Sequence, residues 1–236
     1  MKKILGSLRR GVEKFEMIKP GDHIAICLSG GKDSTALLVA MKRFQHFSPV
    51  PFELEGITLD MGFGGMDLTP LADLCAKLDV PYTIKKTNIG PIVFEERQEK
   101  NPCSLCARMK RGALHDLAIE KGCRTVALGH HADDAIETFF LSLFYEGRIS
   151  TFAPVTYLDR KNITVIRPLI FVRERDIIND PEMKNLPVIQ STCPANGFTK
   201  REDMKNMIKE LRKTMPDMDD RVLGAIQNKE QCHLWF

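Results

Sequence analysis

His23-Ile24-Ala25-Ile26-Cys27-Leu28-Ser29-Gly30-Gly31-Lys32-Asp33-Ser34 joins an almost unbroken apolar run to a glycine turn. The run suits a parallel strand buried on both faces, and the turn leads into a helix whose apolar residues include Leu37, Leu38, Met41 and Phe44. A helix begun in this way is an anion site. Its first N–H groups point outward at the positive end of the dipole, paired glycines let phosphate oxygens approach the backbone, and Lys32 adds a charge. Ser29 and Ser34 supply hydroxyls. The string has neither the G-x-x-x-x-G-K-[ST] spacing of a Walker NTPase nor the G-x-G-x-x-G of a dinucleotide site, so a different nucleotide loop is required.

Similar apolar runs follow at Leu54 to Leu59, Tyr82 to Thr87 and Thr125 to Gly129, separated by stretches of helical periodicity. This alternation predicts an α/β fold with a doubly wound parallel sheet and helices on both faces. Ahead of it, Ile4, Leu5, Leu8, Val12 and Phe15 fall at helical spacing opposite Lys2, Lys3, Arg9, Arg10 and Lys14, a basic amphipathic helix. After Gly129, residues Ile136, Phe139, Phe140, Leu143 and Phe144 follow the i, i+3, i+4, i+7, i+8 pattern and are expected in the core. Past Arg167-Pro168 the alternation weakens. A last helix near 199–214 is expected to turn Met204, Met207, Ile208 and Leu211 inward, with Pro216 ending it. The domains expected are a basic helix at 1–20, the α/β domain at 21–170 and a helical extension at 171–236.

The chain has 236 residues, 43% hydrophobic and 28% charged, which provides for one sizeable core and excludes disorder, collagen and coiled coil. No apolar run approaches the ~18 residues that span a bilayer. Lys2 and Lys3 are followed only by Ile4 and Leu5 before Gly6, too short for a signal peptide, so the expected location is the cytoplasm with no membrane partner. Seven cysteines, an odd number, argue against a disulfide framework and leave metal ligation as an alternative use.

The loop Ser29 to Ser34 resembles that of the PP-loop ATP pyrophosphatases, whose Ser-Gly-Gly-x-Asp-Ser string holds the β,γ-diphosphate while the α-phosphate is attacked, leaving an adenylated substrate. A second segment, Gly129-His130-His131-Ala132-Asp133-Asp134, lies at the carboxyl end of a later strand and faces the same crevice. Its adjacent carboxylates suit Mg²⁺ beside a polyphosphate, and equally suit first-turn residues that complement the helix dipole. The resemblance favours Mg²⁺, because PP-loop members carry Gly-His-His-x-Asp-Asp here. It implies ATP held by Ser29, Gly30, Gly31, Lys32, Asp33, Ser34, Gly129, His130, Asp133 and Asp134, with Lys32 and Asp33 catalytic. Asp60, at the end of the second strand, is left as a turn residue.

Asn101-Pro102-Cys103-Ser104-Leu105-Cys106 reads as a helix start, with Asn101 as cap and Pro102 at the first position. Cys103 and Cys106 then share one side of the first turn, where the helix N-terminus favours thiolate. Zinc, an iron–sulfur cluster and a redox dithiol all fit this pair, although no second C-x-x-C follows as in a zinc ribbon. A third cysteine, Cys193, lies in a segment without regular periodicity, and three thiolates would leave one iron of a cubane unligated. Cys27, Cys75 and Cys123 read as core, and Cys232 is undecided.

Together, Asp22 to Ser34, Cys103 to Cys106 with Arg108 and Arg111-Gly112, Gly129 to Asp134, and Val165-Ile166-Arg167-Pro168-Leu169 resemble the tRNA 2-thiocytidine synthetases, the tRNA-cytidine(32) 2-sulfurtransferase family. The resemblance runs to about Arg175. It departs in the tail, where Pro194 follows Cys193 in place of a second nearby cysteine. It implies a [4Fe-4S] cluster on Cys103, Cys106 and Cys193, a tRNA anticodon loop as substrate, a cysteine desulfurase as sulfur donor and a plausible homodimer. It also implies a reaction in which the cytidine C2 oxygen attacks the α-phosphate, pyrophosphate leaves, and sulfide then displaces AMP. Charge placement agrees with RNA: residues 1–20 and 100–124 each hold six Lys/Arg against two acids, and 199–213 hold six against three. Arg108, Arg111 and His115 fall on one face of the helix that begins at the cysteine pair. The rivals are a PP-loop amide-forming ligase, lysidine-like or acting on a small molecule, and a zinc-stabilised RNA-binding module.

Overall fold

In the computed structural model, which describes residues 1–97, 102–190, 192–195, 200–228 and 230, the apolar run before the glycine turn is β1 (Asp22–Cys27). Around it lie β2 (Phe52–Asp60), β3 (Tyr82–Lys86), β4 (Thr125–Ala127), β5 (Val155–Leu158) and β6 (Ile163–Ile166) in one sheet of order β3-β2-β1-β4-β6-β5. Strand order reverses at β1, with β2 on one side and β4 on the other, and a crevice opens there at the carboxyl ends. All pairings are parallel except β5 with β6, where Val155 faces Ile166 and Leu158 faces Ile163. This edge is the one antiparallel pairing in the expected doubly wound parallel sheet, among the described residues. The connection is only Asp159–Lys161 and Asn162 at φ 50°, too short for a crossover, so the two strands form a hairpin.

Alternation along β1 feeds two cores. Ile24, Ile26 and Leu28 pack with α1 (Lys2–Lys14), α2 (Lys32–Gln45) and α7 (Glu174–Asn179), while Ala25 and Cys27 pack with Leu117 and Ala118 of α5 (Pro102–Glu120). The pair α3 (Thr69–Lys77) and α4 (Ile89–Pro91) flank β3 in the chain. Ile4, Leu8 and Val12 of α1 are buried in the first core, so the basic helix is part of the α/β body. Leu169, Ile170, Val172, Ile177 and Met183 belong to the same core, and packing therefore continues past 170 without a break.

The helical extension with a cluster of its own is formed by α8 (Lys200–Thr214) and α9 (Met218–Gln227) on α6 (Ala132–Glu146). That cluster is Ile136, Met204, Ile208 and Met218. The apolar stripe of α6 is less buried than expected: Ile136 is fully covered, whereas Phe144 is 57% exposed. Phe140 and Leu141 are partly buried against the cluster with Met204 and Ile208, and cover is lost towards the carboxyl end of α6. Met207, expected inward, is 46% exposed because Met204 and Ile208 take the inner positions one turn apart. The expected Asn101 cap, Thr199 and Cys232 lie outside the described residues. Among the described residues no helix is long and apolar enough to cross a membrane.

Candidate nucleotide and thiol site

The loop after β1 is tied to itself by hydroxyls. Ser34 Oγ accepts from Ser29 N and Ser29 Oγ, each at 3.2 Å, and donates to Gly31 O at 2.9 Å. Gly30 sits at φ +85°, and a Cβ there would lie 2.9 Å from Cβ of Ile189, whose amide donates to Gly30 O at 2.8 Å. The segment leading to Cys193 therefore crosses directly over the loop. At Gly129 a Cβ would come within 3.0 Å of the backbone of Asp33 and Ser34, so the strand β4 turn touches the start of α2 main chain to main chain. Gly129→Ala must push these backbones apart, at a cost of about 1–3 kcal/mol. We expect a roughly ten-fold or greater rise in the KM for ATP, read from steady-state kinetics.

Lys32 does not line the crevice. Its ammonium lies 2.9 Å from Asp33 Oδ2 and 2.6 Å from Glu174 Oε1. Burial lowers its pKa, but the hydrogen bond it donates to Glu174 and the charge of Asp33 outweigh this and leave it raised. The expected action of Lys32 on phosphate thus requires it to exchange Glu174, a partner the sequence did not reveal. Ligand atoms of Asp33, His131 and Glu174 lie within 4.8 Å of one another. Lys32 already supplies the cation of that cluster. Asp33 Oδ1 is buried without a hydrogen-bond partner.

The two aspartates of the second segment part company. Asp133 points away from the crevice: it accepts from Arg173 Nε at 3.2 Å and Nη2 at 3.0 Å, from Arg212 Nη2 at 2.7 Å and from the Glu174 amide at 2.7 Å. Asp219 shares both arginines. Burial pushes the Asp133 pKa up, and Arg173 more than reverses this, leaving it lowered. The expected Mg²⁺ role of Asp133 is therefore corrected to a joint between α6, the start of α7, α8 and α9. Asp134 does line the crevice. Its Oδ2 accepts from His131 N at 2.9 Å while His131 Nδ1 accepts from Asp134 N at 3.3 Å, a reciprocal helix cap.

His130 also lines the crevice, with its ring 5.0 Å from that of Phe152. Burial pushes its pKa down to about 4 against the opposing charge of Asp134, so it is neutral at physiological pH. One turn on, Glu137 is 4% exposed and receives Arg201 Nη1 at 3.2 Å. Burial pushes its pKa from 4.5 to about 7, with Asp134 adding to the shift and Lys205, Arg201 and His131 opposing it. The folded protein thus holds a proton that the unfolded chain has lost between these values. Stability is expected to fall by about 3 kcal/mol as pH rises from 4.5 to 7 and then level off. Glu137→Gln should flatten that span in thermal unfolding measured across pH.

The crevice is a cavity of about 750 Å³. Ser29, Asp33, Ser34, Gly129, His130 and Asp134 line one part, and Cys106 of α5 and Cys193 line another. Cys103 is exposed one turn before Cys106. The Cys106 thiol pKa is raised by burial, then by Cys193, with Cys103 adding and Lys110 opposing. Cys193 is thus brought within electrostatic reach of the C-x-x-C pair, whereas the expected lowering by the helix N-terminus is overridden at Cys106. Arg111 lines the cavity, Arg108 is exposed outside it, and His115 is buried. Burial, then Lys161 and Arg111, lower the His115 pKa, so it adds no charge to the basic face. Asp60 and Cys27 also line the cavity. Arg167, Phe152 and Thr156 line its far end, and although Arg167 belongs to a segment that marked the family resemblance, nothing local signalled its place in the site.

Residues 6–190 match the PP-loop domain family. A tRNA-cytidine(32) 2-sulfurtransferase of Pelobacter propionicus is 37% identical over 95% of this chain and 85% of its own. The namesake from Geobacter sulfurreducens is 37% identical over 99% of this chain and 92% of its own, and that from Neisseria gonorrhoeae 38% over 94% and 70%. Among solved structures, the U34-tRNA thiolase of Methanococcus maripaludis with its [4Fe-4S] cluster superposes with a TM-score of 0.75 over 94% of this chain and 76% of that one; at 22% identity this is a likeness of fold. Matched at this level over nearly its whole length, and with a PP-loop and two of the three expected cysteines in one cavity, the chain belongs to the tRNA-cytidine(32) 2-sulfurtransferase family of PP-loop proteins.

Proposed function

We propose that this protein uses ATP to replace the C2 oxygen of a cytidine in the tRNA anticodon loop with sulfur. One observation carries the reading: the phosphate loop and the thiols of Cys106 and Cys193 face a single cavity, and Cys193 reaches it on a segment that crosses the loop at Gly30. The donor set fits the implied groups. Three thiols from Cys103, Cys106 and Cys193 suit a [4Fe-4S] cluster, which when bound would offer sulfur a position at the iron without a protein ligand. Asp134, in the cavity, and the orphaned Asp33 Oδ1 suit Mg²⁺, which would neutralise polyphosphate charge.

The chain's own groups do the rest. The N–H groups at the start of α2 and the hydroxyls of Ser29 and Ser34 hold the departing pyrophosphate. As the cytidine oxygen bonds to the α-phosphorus and the bond to pyrophosphate breaks, these donors stabilise the charge that moves onto the leaving oxygens. Neutral His130 keeps a ring nitrogen as a hydrogen-bond acceptor at the cavity wall. Sulfur would be furnished by a cysteine desulfurase.

Anaerobic incubation with tRNA, ATP, Mg²⁺ and sulfide, followed by mass spectrometry of the nucleosides, is expected to yield 2-thiocytidine with one pyrophosphate released per base. Pyrophosphate release accompanied by a modified nucleoside lacking sulfur would assign the protein to the amide-forming ligases instead.

A further inference from the structure

At the β6 end of the cavity Arg167 is half-buried and held by its surroundings. Its Nη1 donates to Ala153 O at 2.6 Å and Thr156 Oγ1 at 3.4 Å, and its guanidinium carbon lies 4.9 Å from the Phe152 ring. Its Nε is buried with no acceptor. No carboxylate among the described residues pairs with it, and the charge that bears on it is another cation, Arg111, which with burial lowers its pKa to about 10. Arg111 and Lys110 line the same wall, again without an ion pair among the described residues. Asp116, the acid nearest to Arg111 in sequence on α5, is instead engaged by Lys161 at 2.6 Å.

A guanidinium fixed in a cavity wall beside a second cation, with no carboxylate, is costly to the protein alone. The cost is offset when an anion binds, and the fixed fork suits phosphate oxygens. That anion is distinct from the one at the phosphate loop. The loop follows β1, Arg167 follows β6, and β4 lies between them, so two strand spacings set the sites about 10 Å apart.

We propose that Arg167 and Arg111 form a second anion site, which receives a backbone phosphate of the RNA substrate beside the nucleotide to be modified; this rests on the function proposed above. Phe152 and His130 sit between this site and the phosphate loop, so a base belonging to the held phosphate would enter the cavity along them.

The test uses the full-length protein, an unmodified tRNA transcript containing the target cytidine, and titrations across a salt series. For Arg167→Ala and Arg111→Ala we expect a roughly ten-fold loss of tRNA affinity and a fall of about 0.7–0.9 in the slope of log K against log salt for each phosphate contact removed. The affinity for ATP should be unchanged. Arg111 is exposed, so its variant avoids any folding penalty, and Arg167→Lys should restore the salt slope while recovering affinity only in part. Unaltered slopes in Arg111→Ala and Arg167→Ala, with wild-type protein binding and thiolating tRNA, would overturn the site alone. A weakened affinity for ATP with unchanged tRNA slopes would assign the arginines to the nucleotide's own phosphates and overturn it equally. Wild-type protein that binds no tRNA at any salt would defeat the functional reading itself.

Discussion

Cys193→Ser is expected to reduce tRNA thiolation at least about 100-fold while leaving ATP binding intact. The hydroxyl that replaces the thiol is a hard, protonated donor that does not substitute for thiolate on iron. Cys193 sits at the cavity with Cys106, beyond the stretch where Ile189 is hydrogen-bonded to Gly30, so the substitution alters the donor and leaves the phosphate loop in place. Anaerobically purified variant should also lose the brown colour expected of the wild type. Cys123→Ser is the contrasting case. That thiol is fully buried in the core between α5 and the sheet, and its loss should lower stability without removing colour. A Cys193→Ser protein with wild-type thiolation would remove the three-thiol arrangement from the mechanism.

The second large effect concerns stability. Arg173→Met should cost about 3 kcal/mol, because it removes one of the two arginines that Asp133 and Asp219, 5% and 7% exposed, share. For a chain of this length that is a fall in Tm of roughly 10 °C in calorimetry. The pH dependence has a definite sign. Arg173 holds the folded Asp133 pKa below its ordinary 3.8, so this stabilisation is present above that value and is lost as pH falls through the lower folded pKa. In the variant the largest opponent of burial is gone while Arg212 and the Glu174 amide remain, so the loss should begin at higher pH. A Tm within a few degrees of wild type would show that Arg212, 2.7 Å from Asp133, suffices alone.

What the sequence disclosed was what neighbours along the chain determine. The strand before the glycine turn, the helix that the turn opens, and the helix that begins at Pro102 each follow from a few consecutive residues, and the structure has all of them. Asp133 and Asp134 were alike by composition, yet adjacent helical positions diverge by about 100°. One therefore faces Arg173 and the other the cavity, a distinction fixed by residues some forty positions away. The stripe on α6 was expected in the core, yet its cover gives out by Phe144, since periodicity reports a face and not the length of its cover. The approach of Cys193 to Cys106 came only from the family resemblance. A segment without periodicity carries no local sign of where it is led, here by the main-chain bond between Ile189 and Gly30.

That bond fastens the segment at Ile189 to the phosphate loop. Gly30 has room for no side chain beneath Ile189, so a substituent there would have to displace both main chains at once.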